Sequence, residues 1–484
     1  MPRPVPQYLM NHSTTAAEQY RQLIGGSLEP GADSQDVIDP ATGRAFATAP
    51  VADADQVDRG VAAARQAFPG WSAKSYDERG AILTRIADLV EENAELIART
   101  VTREQGKSLA DSLGDVGAAI SYTRYFADWR PDPEVVRDDD EAFVEILRRP
   151  LGVVAAIIPW NFPFFQMMYK LGPALITGNT VVVKPAPTTP LNALLLGQLL
   201  ADVVPAGVVN VVGDAGAVGP LLTAHPDVAK VSFTGSTATG RRVMASAAGT
   251  LKRITLELGG NDPGIVLADA DVAKTAEGVF TWAFANSGQV CINIKRIFVH
   301  SSIYEEFCAE LARLADAVVI GPGLGEGARM GPIQNARQFE LVRDALELAH
   351  DTGTVIAGGT VVEGDGYFVR PTVVRDISED SSLTAEETFG PIRSVFSYDD
   401  IDDVIERANA TPYGLGASVW GSAAAATDIA RRLETGTTWV NQHFALSPDV
   451  PFGGRKQSGL GSEFGLDGIH AFTDVHVVNV NKVW

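Results

Sequence analysis

The sequence predicts an α/β fold built of two doubly wound halves, each a largely parallel sheet covered by helices on both faces. Three observations carry this. Beyond Pro150, short β-branched runs such as 152–158 and Thr180-Val181-Val182-Val183-Lys184 alternate with helical stretches, the pattern of strands buried on both faces. The alternation continues through strands at 208–212 and 228–233, then resumes after Leu258 and runs to about Val440, which puts the break near 257–260. The chain has 484 residues, 45% of them apolar, enough to bury a core without disulfides or structural metal; at ~150 residues per domain, about three domains are expected.

Each element has a local reason. The first twenty or so residues are polar and read as loose. Asp39-Pro40-Ala41-Thr42-Gly43 reads as a turn. From Asp53 apolar residues recur at helical spacing (Val57, Val61, Ala64, Phe68), followed by amphipathic stretches over about 76–102 and 108–129. Arg130-Pro131-Asp132-Pro133 breaks the last of these. Residues 143–148 and the tail 475–480 have strand character with no partner nearby in sequence. A helix is expected to start at Pro190, a residue tolerated in a first turn, and to run through Leu200.

Composition removes several function classes. A net charge of −21 repels phosphate backbones and anionic lipid, which argues against nucleic acid and membrane partners. No apolar run reaches the ~18 residues of a membrane span, and the amino terminus lacks an apolar signal core. Two cysteines, Cys291 and Cys308, exclude a disulfide framework, and seven scattered histidines show no zinc spacing, so no metal site is expected. The chain reads as a soluble, cytoplasmic protein of enzyme size.

Several residues could carry chemistry, each with a plainer alternative. Cys291 follows Asn286-Ser287-Gly288-Gln289-Val290; it is either a small buried hydrophobe or a thiolate on a polar turn that approaches a ligand. Cys308 lies on a helical apolar stripe and reads as core. Glu257, in Leu256-Glu257-Leu258-Gly259-Gly260, is either a solvent-facing strand residue or a base with a raised pKa. Asn161, in Pro159-Trp160-Asn161-Phe162-Pro163, is either a turn residue or a rigidly held amide donor for an oxyanion. Phe233-Thr234-Gly235-Ser236-Thr237 joins a strand to a helix, so its backbone N–H groups suit a pyrophosphate, although GxGxxG is absent. The string Gly321-Pro322-Gly323-Leu324-Gly325 reads as a loop, and Lys184 sits at the carboxyl end of a strand, where such sheets bind ligands.

Together these segments resemble the aldehyde dehydrogenase superfamily over almost the whole chain. The resemblance rests on Asp39–Gly43, Pro159–Pro163, Lys184-Pro185-Ala186, Phe233–Thr237 and Leu256–Gly260. It also rests on the 286–291 segment, Glu387-Thr388-Phe389-Gly390-Pro391 and Pro451-Phe452-Gly453-Gly454-Arg455-Lys456. It implies two Rossmann-like domains and a β-strand arm: an NAD(P)-binding domain of 1–130 and 150–257, a catalytic domain of 258–450, and an oligomerisation arm of 131–149 and 468–484. By this resemblance Cys291 attacks an aldehyde carbonyl, Asn161 and the Cys291 N–H hold the oxyanion, and Glu257 activates water on a thioester. Lys184, Pro187, Trp160, Gly219, Phe233, Gly235, Ser236, Leu258, Glu387 and Phe389 fall at the cofactor. Phe162, Gln166, Tyr169, Val290, Ile292 and Phe444 fall along the substrate tunnel.

Four further expectations follow from the resemblance. Glu257 points to the hydrolytic branch rather than transfer to coenzyme A. Pro187 stands where many NAD-using relatives carry Glu; with no new Lys or Arg within 185–190, NAD is favoured and NADP stays open. The apolar, aromatic tunnel favours an uncharged aliphatic or aromatic aldehyde over a semialdehyde. A homodimer or homotetramer is expected. A thiol-dependent esterase and a nucleotide-binding relative without catalysis are the competing readings.

Overall fold

A computed structural model describes residues 20–132 and 134–484; the opening segment read as loose lies outside the described residues, apart from Tyr20. The fold is mixed α/β. In spatial order the first sheet runs Gly459–Leu460, Arg253–Glu257, Val228–Thr234, Val153–Ile157, Thr180–Lys184, Val209–Val211, Gln22–Ile24 and Ser27–Glu29. The five strands from Arg253–Glu257 to Val209–Val211 are parallel, and the flanking ones antiparallel. Strand order reverses between Val153–Ile157 and Val228–Thr234, and the crevice at the carboxyl ends beside such a reversal is where open α/β sheets take ligands.

The runs of β-branched residues are explained by cover on both faces. Val153, Ala155 and Ile157 pack with Val57, Val61 and Ala64 of the helix Ala54–Ser72. Val154, Ala156 and Ile158 face the other way, onto Phe164 and Met167 of the helix Pro163–Ile176. A period of two with both sets apolar is what a sheet between two helical layers requires.

The chain leaves this sheet at Glu257 and enters the second at Asp262. That sheet runs Thr354–Ala357, Thr372–Arg375, Ile392–Tyr398, Ile294–His300, Asp262–Val266, Gly416–Trp420 and Thr437–Val440, parallel except at its first strand. Cys308 lies buried on the helix Tyr304–Ala317 among Phe307 and Leu311, a core residue. Among the described residues no helix is long and apolar enough to cross a membrane, and none of their His, Cys, Asp and Glu side chains form a group able to hold a metal ion.

Two expectations need correction. The stretch 76–102 is not one helix: Tyr76–Glu92, opened by a Ser75–Glu78 capping box, ends at Asn93, which also starts Ala94–Gln105. Buried Leu89, Val90 and Ile97 keep their apolar spacing across the break, so the periodicity conceals it. The strand around 143–148 does have a partner nearby in sequence, Glu134–Asp138, whereas the tail 475–480 has none nearby and pairs with Ala142–Pro150. Ala142–Pro150 lies between Glu134–Asp138 and Thr473–Asn481, with Ile146 opposite Val477. More than 320 positions separate these two strands, beyond the reach of any local signal.

Candidate active site

The loop after the strand Val153–Ile157 carries Trp160, Asn161 and Phe162 into the crevice, and Pro163 at the first helical turn fixes its exit. The Asn161 side chain is buried, with Nδ2 donating to the Gln289 carbonyl at 3.1 Å and Oδ1 accepting from Gln166 Nε2 at 3.3 Å. Its own carbonyl accepts from Asn286 Nδ2 at 3.0 Å. Both ends of the amide are therefore oriented. Among the described residues, one N–H of Nδ2 remains uncommitted.

The polar residues ahead of Cys291 have structural work. Asn286, Ser287 and Gly288 are three consecutive left-handed residues, with φ of 50°, 57° and 74°. For the two non-glycines this costs on the order of 1 kcal/mol each. Hydrogen bonds hold the turn: Ser287 Oγ donates to the Gly331 carbonyl at 2.7 Å, and Gln289 Oε1 accepts from the Gln334 N–H at 2.8 Å. Gly288 lies against the Gly390 carbonyl, where no side chain fits. Lys295, which the sequence did not single out, donates to the carbonyls of Val290 at 3.0 Å and Cys291 at 2.6 Å.

Glu257 ends its strand and is buried, not solvent-facing. Its Oε1 accepts from Cys291 Sγ at 3.4 Å, and its Oε2 accepts from Thr234 Oγ1 at 3.0 Å and Tyr169 OH at 3.2 Å. Burial raises the Glu257 pKa, against the pull of Lys170. Burial, and then the Glu257 charge, push the Cys291 thiol well up. The resting pair is thus a protonated thiol donating to a carboxylate of increased basicity, which is the arrangement for transferring that proton when an electrophile arrives. Beneath it lies a fully buried ion pair, Lys170 Nζ to Glu463 Oε1 at 2.5 Å, whose members are 293 residues apart.

Cys291 lies between two cavities. The larger, about 530 Å³, is lined by Trp160, Asn161, Gly235, Ser236, Leu258, Glu387 and Phe389, together with Gln338 and Thr234. Trp160 and Phe389 meet edge to face at 5.3 Å across it. The smaller, about 30 Å³, is lined by Phe162, Gln166, Tyr169, Val290, Ile292 and Phe444, and by Glu257. Trp282 stacks on Phe444 at 5.0 Å and backs that wall. His443, beside it, is buried and hydrogen-bonded to the Ile292 carbonyl, and burial lowers its pKa to about 4, so it is neutral in the physiological range.

Four residues that the sequence assigned to the cofactor do not line the larger cavity. Lys184 Nζ is paired with Asp214 at 2.8 Å. The Pro187 carbonyl accepts from Gln35 Nε2 at 2.9 Å, and the same amide group donates to the Asp214 carbonyl. Gly219 lies in the first turn of Val218–Ala224 beside open space. Phe233 is buried under Gly235, where an added Cβ would come within 2.6 Å of its ring. That contact explains the glycine and keeps the turn low. Ser236 caps the helix Thr237–Ala247, leaving an electropositive helix end at the cavity wall. Glu387, held by Lys295 at 3.2 Å and the Gly260 N–H at 3.2 Å, offers carboxylate oxygen to hydroxyl groups. A helix end for phosphate, a carboxylate for ribose and an aromatic pair beside a thiol suit a nicotinamide dinucleotide.

The fold and this site describe an α/β enzyme with a thiol and a carboxylate meeting between two cavities. Residues 28–478 match the model of the aldehyde dehydrogenase family, and the chain belongs to that family of oxidoreductases acting on aldehydes. It is 40% identical to phenylacetaldehyde dehydrogenase of Pseudomonas fluorescens, over 96% of this chain and 97% of that one. It is 39% identical to aldehyde dehydrogenase 1A1 of Ovis aries, over 92% and 91% of the two chains. The solved NAD+ complex of aldehyde dehydrogenase from Bacillus cereus superposes with a TM-score of 0.95 at 36% identity, covering 99% of each chain.

Proposed function

We infer that the protein oxidises an uncharged aliphatic or aromatic aldehyde to the free carboxylate with NAD(P)+, NAD+ being preferred, by covalent catalysis at Cys291. The observation that carries this is the 3.4 Å contact of Cys291 Sγ with Glu257 at the junction of the two cavities. Glu257 takes the thiol proton as sulfur bonds to the carbonyl carbon, giving a thiohemiacetal. The oxyanion forms beside the uncommitted Asn161 N–H and the Cys291 backbone N–H, each such donor being worth roughly 3 kcal/mol. The chemistry that a bound nicotinamide supplies is acceptance of the hydride, which leaves a thioester on Cys291. Glu257 gives the thiol proton up to solvent and then takes one from water as the water oxygen bonds to the thioester carbon. The C–S bond breaks, sulfur recovers that proton from Glu257, and the acid leaves as carboxylate, losing its own proton to solvent.

An uncharged substrate is supported by the smaller cavity, where Glu257 is the only charged lining residue among the described residues. Gly235, Ser236, Leu258, Trp160, Glu387 and Phe389 would hold the nicotinamide end of the dinucleotide and its phosphates, and Lys184 and Pro187 the adenosine ribose. On this reading the first sheet with its helices (1–130 and 150–257) is the nucleotide domain and 258–450 the catalytic one. The arm of 131–149 and 468–484 joins copies into a homodimer or homotetramer, supported by Val475 and Val477, both more than half exposed on its edge strand. The same reading has the enzyme work in the cytoplasm, a compartment that suits two free cysteines.

The test is reduction of NAD+ and NADP+ by the purified protein over a panel of aldehydes, with Cys291→Ala as control. NADH formation abolished by the substitution is expected. Absence of turnover with both nucleotides overturns the reading, and ester cleavage indifferent to nucleotide with no aldehyde turnover favours a thiol esterase.

A further inference from the structure

We propose that Gln166 selects for aldehydes carrying a hydroxyl group, its side-chain oxygen accepting that hydroxyl while the carbonyl lies at Cys291. This deepens, and rests on, the aldehyde-oxidising reading above. Gln166 is 4% exposed and lines the smaller cavity with Cys291 and Glu257. A chain of hydrogen bonds fixes which way its amide points. The Gln289 carbonyl can only accept, so Asn161 must turn its Nδ2 toward it, at 3.1 Å. Asn161 Oδ1 then faces Gln166 and requires a donor, which is Gln166 Nε2 at 3.3 Å. The Gln166 oxygen is left pointing away from Asn161, and among the described residues it has no hydrogen-bond partner.

Buried amide oxygens are almost always paired, so one without a partner in the wall of a substrate cavity needs a reason. Its neighbours cannot supply a donor. Phe162, Val290, Ile292 and Phe444 have no polar side-chain atom, while the Tyr169 hydroxyl and the Cys291 thiol are both given to Glu257. A charged donor is disfavoured, because an ammonium would have to give up its hydration to reach a neutral amide oxygen buried among apolar side chains. A neutral hydroxyl satisfies the oxygen without that penalty. An aldehyde lacking it leaves the oxygen unpaired in the complex, and discrimination of this kind is asymmetric: a site built around a substrate hydroxyl rejects the analogue without it.

The experiment compares kcat/KM for straight-chain alkanals against hydroxyalkanals of equal chain length with the hydroxyl at successive carbons, and for benzaldehyde against its ring-hydroxylated isomers. At least one hydroxyl position is expected to be favoured by about tenfold or more over its parent in the wild type. In Gln166→Met, which fills the same volume without the acceptor, that ratio is expected to fall to within about twofold of unity. Equal rates for every matched pair, or a preference that survives in Gln166→Met, overturn the proposal. The wild-type comparison decides even where the variant does not fold. Cys291-dependent oxidation without any hydroxyl preference refutes this inference alone. No turnover of any aldehyde refutes the reading beneath it and this inference with it.

Discussion

Replacing Asn161 by Ala separates the two jobs proposed for one amide. The site loses the N–H placed for the oxyanion, and such a donor is worth about 3 kcal/mol, so kcat/KM should fall roughly 100- to 1000-fold. The fold also loses two buried hydrogen bonds, to the Gln289 carbonyl and from Gln166 Nε2. Each group left unpaired costs about 1–3 kcal/mol unless water reaches it. Asn161→Asp keeps an acceptor for Gln166 but sets a carboxylate oxygen against the Gln289 carbonyl; it should lose as much activity with a stability cost of its own. The assay is kcat/KM on one aldehyde at saturating nucleotide, paired with chemical denaturation and titration of the Cys291 thiol. A folded Asn161→Ala protein within about fivefold of wild-type kcat/KM would refute the oxyanion assignment, since loss of one such donor typically costs about 10²- to 10³-fold.

Glu257 must be ionised to accept the thiol proton, and burial places its pKa above the ordinary 4.5, so kcat/KM should rise with pH through that raised value. Glu257→Gln should remove the rising limb and lower the rate about 10²- to 10⁴-fold; a Gln variant with an unchanged profile would exclude the base role. Asp262, buried between the sheets, has its pKa lifted from 3.8 to about 7. The unfolded chain sheds this proton near pH 4 while the fold keeps it, so this group's contribution to stability falls as pH rises from about 4 to about 7. Asp262→Asn should flatten denaturation midpoints over that window, and an unaltered slope would contradict the shift. Val477→Lys, on the exposed edge strand opposite Ile146, should reduce the molecular mass seen by light scattering if the arm joins copies; an unchanged mass counts against that arm.

The local conformation of the candidate site was legible in the sequence because it is built from turns. The glycine-bearing 286–288 segment and the Pro159–Pro163 loop advertise backbone conformations that few other residues tolerate. The strand-and-helix alternation was legible for the same reason, since burial on both faces leaves an unbroken apolar run. What escaped depends on contacts between distant parts of the chain. Lys295, with carbonyl partners at 290 and 291 and a carboxylate at 387, looks in sequence like any strand lysine. The Lys170–Glu463 pair and the Asp214 that occupies Lys184 are equally silent, because a charge in a sequence carries no mark of burial. The break at Asn93 was hidden by a periodicity that the second helix continues.

The strand that carries Glu257 is completed by Gly459–Leu460, and Glu463 follows three residues later to meet Lys170. On the ribosome, therefore, the thiol emerges long before the elements that seat its partner carboxylate. Until residues 459–463 leave the exit tunnel, a nascent chain holds Cys291 without the strand and the ion pair that lie against Glu257. Clipping the chain upstream of 459 would cut the covalent tie between that short strand and the sheet edge that it completes.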